Sequence, residues 1–378
     1  MLFYPVLTYL CPPMNKKEIT SSDGAVANWV LIGVAMLIIQ ILLGGITRLT
    51  GSGLSITEWD VITGALPPLN EHQWLQKFQK YQQTPQYHLL NFDFTLRDFK
   101  FIFFWEWLHR LWARLIGLVF LIPFIVFLIQ KKLRPNMIKP LVILFLLGAL
   151  QGAVGWIMVA SGLTGDAIYV KPAKLAMHFI FACVLISYAF WFGLQLKVKN
   201  ESLVADRRLK YFTWILVSIL FIQLVFGALL AGHKGATAAP TWPDINGSFA
   251  PAYIFRQSIV AIIDNPIVIQ FIHRSLAYVL VLLIFIWTTN AVKAKTSPAF
   301  KKARWIPGLF VLTQLMLGIF TVLSSVKIRP AKWNIFEWLA QLHQLIAILL
   351  LLSLIAALFF LQGKQNHKTK DRVEANMI

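Results

Sequence analysis

Eight stretches of this sequence are apolar for about 20 residues or more, which excludes most folds at once. They cover about 27–48, 101–130, 139–161, 173–196, 210–232, 266–292, 305–326 and 336–362. A helix of about 20 apolar residues crosses the roughly 30 Å hydrocarbon core of a bilayer. No water is available there to satisfy the backbone, so each stretch must close its hydrogen bonds internally as a helix. The short alternating segments of a membrane β-barrel are absent. The expected fold is therefore an all-α integral membrane protein with eight transmembrane helices. Its 378 residues are 58% hydrophobic and 13% charged, with a mean hydropathy of +0.67, too little charge to cover a soluble domain.

A net charge of +19 would ordinarily raise nucleic acid as a partner, but its placement argues against one. Basic residues gather at Lys131, Lys132, Arg134 and Lys139 after the second stretch. They return at Lys197, Lys199, Arg207, Arg208 and Lys210 after the fourth, and at Lys293, Lys295, Lys301, Lys302 and Arg304 after the sixth. The tail adds Lys364, Lys368, Lys370 and Arg372. The long loop 49–100 instead sets Lys77, Lys80, Arg97 and Lys100 against Glu58, Asp60, Glu71, Asp93 and Asp98. Short basic loops stay cytoplasmic, so both termini are expected inside and the long loop outside.

Cys11 and Cys183 are the two cysteines, and they offer neither a disulfide framework nor a thiolate metal site. No cleavable signal or Arg-rich transit segment is visible, and Met14 is a candidate start. A bacterial inner membrane is the expected location.

The chain repeats itself. The second stretch contains Glu106-Trp-Leu-His109-Arg110 and the sixth Gln270-Phe-Ile-His273-Arg274. The fourth and eighth carry His178 and His343 near their starts. His109 and His178 are 69 residues apart, His273 and His343 70, and the halves are offset by 164 and 165. The expected plan is a cytoplasmic segment 1–26, a four-helix bundle 27–196 with the outer loop 49–100, a linker 197–209, a second bundle 210–362 and a tail 363–378. An even number of spans per unit gives both the same orientation, related by an axis along the membrane normal. All four histidines then fall in the outer half, with His109 roughly 12 Å from the start of its helix.

Ionisable groups inside a bilayer imply function. One such histidine could simply bond a neighbouring helix, but four in repeated register favour axial ligation of two haem irons, one by each pair. Zinc needs further ligands, and no Cys or second His is spaced to supply them. His72, His88, His233 and His367 fall in loops or the tail. Arg110 and Arg274, next to two of the ligand candidates, and Arg114 one turn on, could hold haem propionates or snorkel to headgroups. Glu106 shares a helical face with His109, and its counterpart is the neutral Gln270. A carboxylate beside a haem edge points to chemistry in the first half, although pairing with Arg110 at i+4 would also account for it. Trp74, Phe78 and Tyr81 lie at i, i+4 and i+7 and predict a helix over 71–83 on the outer surface.

These residues resemble the haem A synthase family from about 28 to 360. The resemblance rests on Gly44-Gly45-Ile-Thr-Arg48 running through to Glu58-Trp59, on Gly64-Ala-Leu-Pro67-Pro68, and on Trp74, Phe78, Tyr81, Pro85, Tyr87 and Asn91. Glu106-Trp-Leu-His109-Arg110 and Thr241-Trp242-Pro243 complete it. It implies oxidation of the C8 methyl of haem O to a formyl group, giving haem A for terminal oxidases. His109 and His178 would hold the substrate haem with Glu106 as the essential acid, and His273 and His343 a haem b that passes electrons. Haem O synthase is the implied source of substrate; an electron donor and a homo-oligomer are further implied partners. Neither outer loop, 49–100 or 233–265, contains Cys, so the chain resembles the Cys-less branch. Lys234 stands where an acidic residue is common. The competing readings are a di-haem cytochrome b-like electron carrier, which would not need Glu106, and a transporter built from parallel repeats.

Overall fold

The computed structural model describes residues 21–58, 63–252, 254, 258, 260–294, 296–328 and 333–363. The expectations for Cys11, Met14, Trp59, Asp60, Lys295, His367 and the basic tail lie outside the described residues. Each of the eight apolar stretches is a helix long enough to cross a membrane. The spans, numbered in chain order, are Ser21–Leu49, Leu96–Ile129, Pro135–Ala160, Pro172–Lys197, Arg207–Gly232, Pro266–Lys293, Ile306–Ser324 and Ile335–Phe360. Among the described residues the only β-type pairing is an isolated bridge between Ile245 and Ser248.

The span ends follow from local chemistry. Proline opens the third, fourth, sixth and seventh spans, where its missing N–H has no helical partner to lose. Asp206 and Asn265 cap the fifth and sixth by accepting from first-turn amides. The second span begins at Leu96 rather than near 101, because Thr95 and Asp98 form a reciprocal capping box. Its 34 residues extend roughly 50 Å, longer than the hydrocarbon core is thick. His109 consequently lies roughly 20 Å into the helix instead of the expected 12 Å.

Over that long helix sits the helix expected at 71–83, which spans Glu71–Gln82 with Asn70 as its cap. It is amphipathic as the sequence indicates. Phe78 and Tyr81 are buried, and with Trp74 they pack edge and face against Phe99 and Phe103 of the second span.

The first, fourth, fifth and eighth spans pack against one another at the centre of the molecule. The second and third lie against the first and fourth, and the sixth and seventh against the fifth and eighth. The central core includes Ile186, Phe192, Leu216, Ile284, Leu351 and Leu354. Leu118, Ile122, Phe145, Leu146, Leu309 and Leu312 on the peripheral spans are exposed, the pattern of helices facing lipid.

Candidate functional site

The rings of His273 and His343 have centres 6.4 Å apart at an interplanar angle of 71°. Two imidazoles on opposite sides of one iron, each with a metal–nitrogen distance of about 2 Å, place their ring centres roughly 6 Å apart. The second pair therefore has the spacing of bis-imidazole ligation. The Nδ1 atoms of His273 and His343 are buried without a hydrogen-bond partner, polar capacity that a ligated and braced imidazole would use. Among the described residues no three His, Cys, Asp or Glu side chains converge as a bare metal ion would require. The donor set fits haem.

Each of the four histidines rests against a glycine and a glutamine of a neighbouring odd-numbered span. A Cβ at Gly44 would stand 3.3 Å from His109 Nε2, and one at Gly155 only 2.8 Å from His178 Cε1. In the other half, Gly227 and Gly318 bring that position to 3.1 and 3.0 Å from Cε1 of His273 and His343. One turn before each glycine stands a glutamine. Gln40, Gln151 and Gln223 donate through Nε2 to the backbone carbonyls of His109, His178 and His273 at 3.2, 3.1 and 2.9 Å. The amide nitrogens of Gln151, Gln223 and Gln314 also lie 3.2 to 3.4 Å from ring nitrogens of His178, His273 and His343. Of these eight residues the sequence reading named Gly44 alone, as part of the family motif, and gave it no role. Their signal is a glutamine four positions before a glycine in every odd-numbered span.

Glu106 and Arg110 face the outer loop. Glu106, almost fully buried, accepts from the Ser55 hydroxyl at 2.7 Å and the Ile56 amide at 2.9 Å through one oxygen, and from Arg110 at 2.5 Å through the other. Arg110 also donates to the carbonyls of Ile56 and Glu58. The i+4 pair is thus formed, and it clamps the chain leaving the first span onto the second. Glu58 extends the clamp outward: its carboxylate bonds both Lys77 and Lys80 of the surface helix, and those bonds hold it below the usual carboxylate range.

The other half builds the corresponding clamp with a neutral amide in place of the carboxylate. Gln270 donates to the Gly235 carbonyl at 2.6 Å and accepts from Arg274. Arg274 donates to the carbonyls of Thr241, Asp244 and Ala239, seating the Thr241-Trp242-Pro243 turn. Glutamate occurs where the loop presents donors, glutamine where it presents carbonyls. Lys234 is left-handed at φ 51 and stacks its ammonium on Tyr169, 3.5 Å from the ring centre. His72 and His88 are exposed, and His233 bonds the Ile263 carbonyl at 2.8 Å.

The sequence model of the cytochrome oxidase assembly protein family matches residues 27–355. The chain belongs to this family. Among the similar proteins is a haem A synthase of Bradyrhizobium diazoefficiens, 39% identical over 350 residues, covering 91% of this chain and 94% of that one. Haem A synthases of Rhodopseudomonas palustris and Rhodospirillum centenum are 40% and 39% identical over 332 and 322 residues, covering 87% and 84% of this chain and 88% and 85% of theirs. In this member of the cytochrome oxidase assembly family, the histidines, the clamps and the glutamine–glycine pairs all fall within the matched region.

Proposed function

We propose that the chain is a haem A synthase of a bacterial inner membrane, oxidising the C8 methyl of haem O to a formyl group by successive hydroxylations. Its two halves are four-helix units of one design, 27–196 and 210–362, each holding one haem between imidazoles from its second and fourth spans. Substrate haem O binds to His109 and His178, and a resident haem b to His273 and His343. Haem b, when bound, supplies one-electron transfer. Both termini are cytoplasmic and the 49–100 loop is outside.

The 6.4 Å spacing of the His273 and His343 rings, in a chain this similar to haem A synthases over most of its length, carries the reading. The chain's own residues act by binding, orientation and charge. Glu106 puts a carboxylate three residues from the first ligand, where it can stabilise positive charge developing on the substrate. The same carboxylate anchors Ser55 and Ile56 to the second span. Arg110 and Arg274 support the ligands by fixing these loops against the helices that carry them.

The test is haem extraction from cells producing wild type or Glu106→Gln. Loss of haem A with haem b retained is expected; unchanged haem A would remove Glu106 from the reaction. A di-haem electron carrier would yield haem b alone from the wild type.

A further inference from the structure

Resting on the bis-imidazole reading above, we infer that the four glutamine–glycine pairs are sockets that position the axial imidazoles. The glycine admits the ring edge, and the glutamine amide braces the ring and tunes the iron through it. Three observations carry this. All four glycines leave room for a ring that a Cβ would crowd, by contacts of 2.8 to 3.3 Å. All four glutamines sit one turn away on the same helix, and three of their amides lie within 3.4 Å of a ring nitrogen. The side-chain oxygens of Gln40, Gln151, Gln223 and Gln314 are buried without a hydrogen-bond partner.

A buried amide oxygen with nothing to accept is costly. An imidazole whose one nitrogen is on iron presents its other N–H and needs an acceptor, the role that outer partners of metal-bound histidines fill. At Gln314, rotation of the amide by half a turn exchanges its oxygen and nitrogen and puts that acceptor beside His343 Nε2; Gln151 and Gln223, whose amide nitrogens also hold the carbonyls of His178 and His273, brace the turns that carry the rings. Such an acceptor raises the basicity of the ligand and favours ferric iron. These glutamines are positioning residues, and they act on the haem through histidine.

The second half gives the cleanest test, because its haem is resident. Purified Gln314→Leu and Gln314→Glu proteins are compared with wild type and His343→Ala by haem content, low-spin EPR spectrum and reduction potential. Gln314→Leu is expected to keep haem b but change the EPR spectrum and raise the potential. The expected change is about tenfold in relative affinity for the two iron states, about 59 mV for one electron. Gln314→Glu, which keeps an acceptor and adds charge, is expected to lower the potential. If Gln314→Leu does not fold, the direction of the Gln314→Glu shift decides. EPR spectra and potentials unchanged in the glutamine variants, with haem lost in His343→Ala, would overturn the socket alone. Haem b retained in its low-spin form by His343→Ala would overturn the underlying ligation. Gly318→Ala, which crowds the same ring, is expected to disturb the EPR spectrum without touching a polar group.

Discussion

Glu106 and Gln270 occupy the same register, and each matches the polarity of the loop above it. Replacing Glu106 by glutamine keeps one accepting oxygen and turns an NH2 either toward the Ser55 hydroxyl and the Ile56 amide or toward Arg110, where the carboxylate accepts on both sides. Each buried group left unsatisfied costs about 1–3 kcal/mol, so Glu106→Gln is expected to loosen residues 55–58 as well as change the charge. Ser55→Ala separates the two effects, since it removes one donor and leaves the carboxylate. Retention of most haem A in Ser55→Ala, with loss in Glu106→Gln, is the expected outcome in extracted haems. Equal loss in both would assign Glu106 to loop anchoring alone. The asymmetry was legible in the sequence as Glu against Gln at matched positions. Its loop partners were not, because Ser55 and Gly235 reach the helix only after the chain turns. The sockets were hidden for another reason. A glutamine four positions before a glycine recurs in every odd-numbered span, but its meaning appears only when the facing histidine is placed.

At the scale of elements, the surface helix Glu71–Gln82 is held by aromatic packing beneath and by charge at its rim. The Glu58 carboxylate, bonded to Lys77 and Lys80, lies below its ordinary value of 4.5 when folded. Its contribution is therefore fully present above that ordinary value and is lost as pH falls through the depressed one. Protease and hydrogen-exchange protection of residues 71–82 is expected to hold from neutral pH down to that range and to fall below it. In Glu58→Gln the fall should be absent, with protection at neutral pH already at the level that wild type reaches in acid. The capping box that starts the second span early gives a separate test. Thr95→Ala is expected to cost about 1 kcal/mol, read as faster amide exchange at Leu96–Phe99 with haem content unchanged. Hydrophobic runs located all eight spans, but the run of the second starts after its helix does, because its outer turns carry Arg97, Asp98 and Lys100.

At the scale of the molecule, the first and eighth spans join the two halves beside both sites. Gly44 lies against His109, while the next residue, Gly45, lies against Gln341 and Gln344, on either side of His343. These two glutamines donate to the Leu42 and Ile41 carbonyls at 3.0 and 2.9 Å. A Cβ at Gly45 would meet their oxygens at 2.5 and 2.7 Å, so Gly45→Val is expected to lower thermal stability and disturb both haem environments together. Disturbance of one half alone would show that the halves are uncoupled at this contact. The most direct measurement of two haems, each between two imidazoles, is haem content and identity by extraction and low-spin EPR. It is made on purified wild type and on alanine variants of His109, His178, His273 and His343. Replacing His273 or His343 should remove haem b, and replacing His109 or His178 should remove the haem O and haem A signals while haem b remains. Colourless wild type, or pigment unchanged in all four variants, would contradict it.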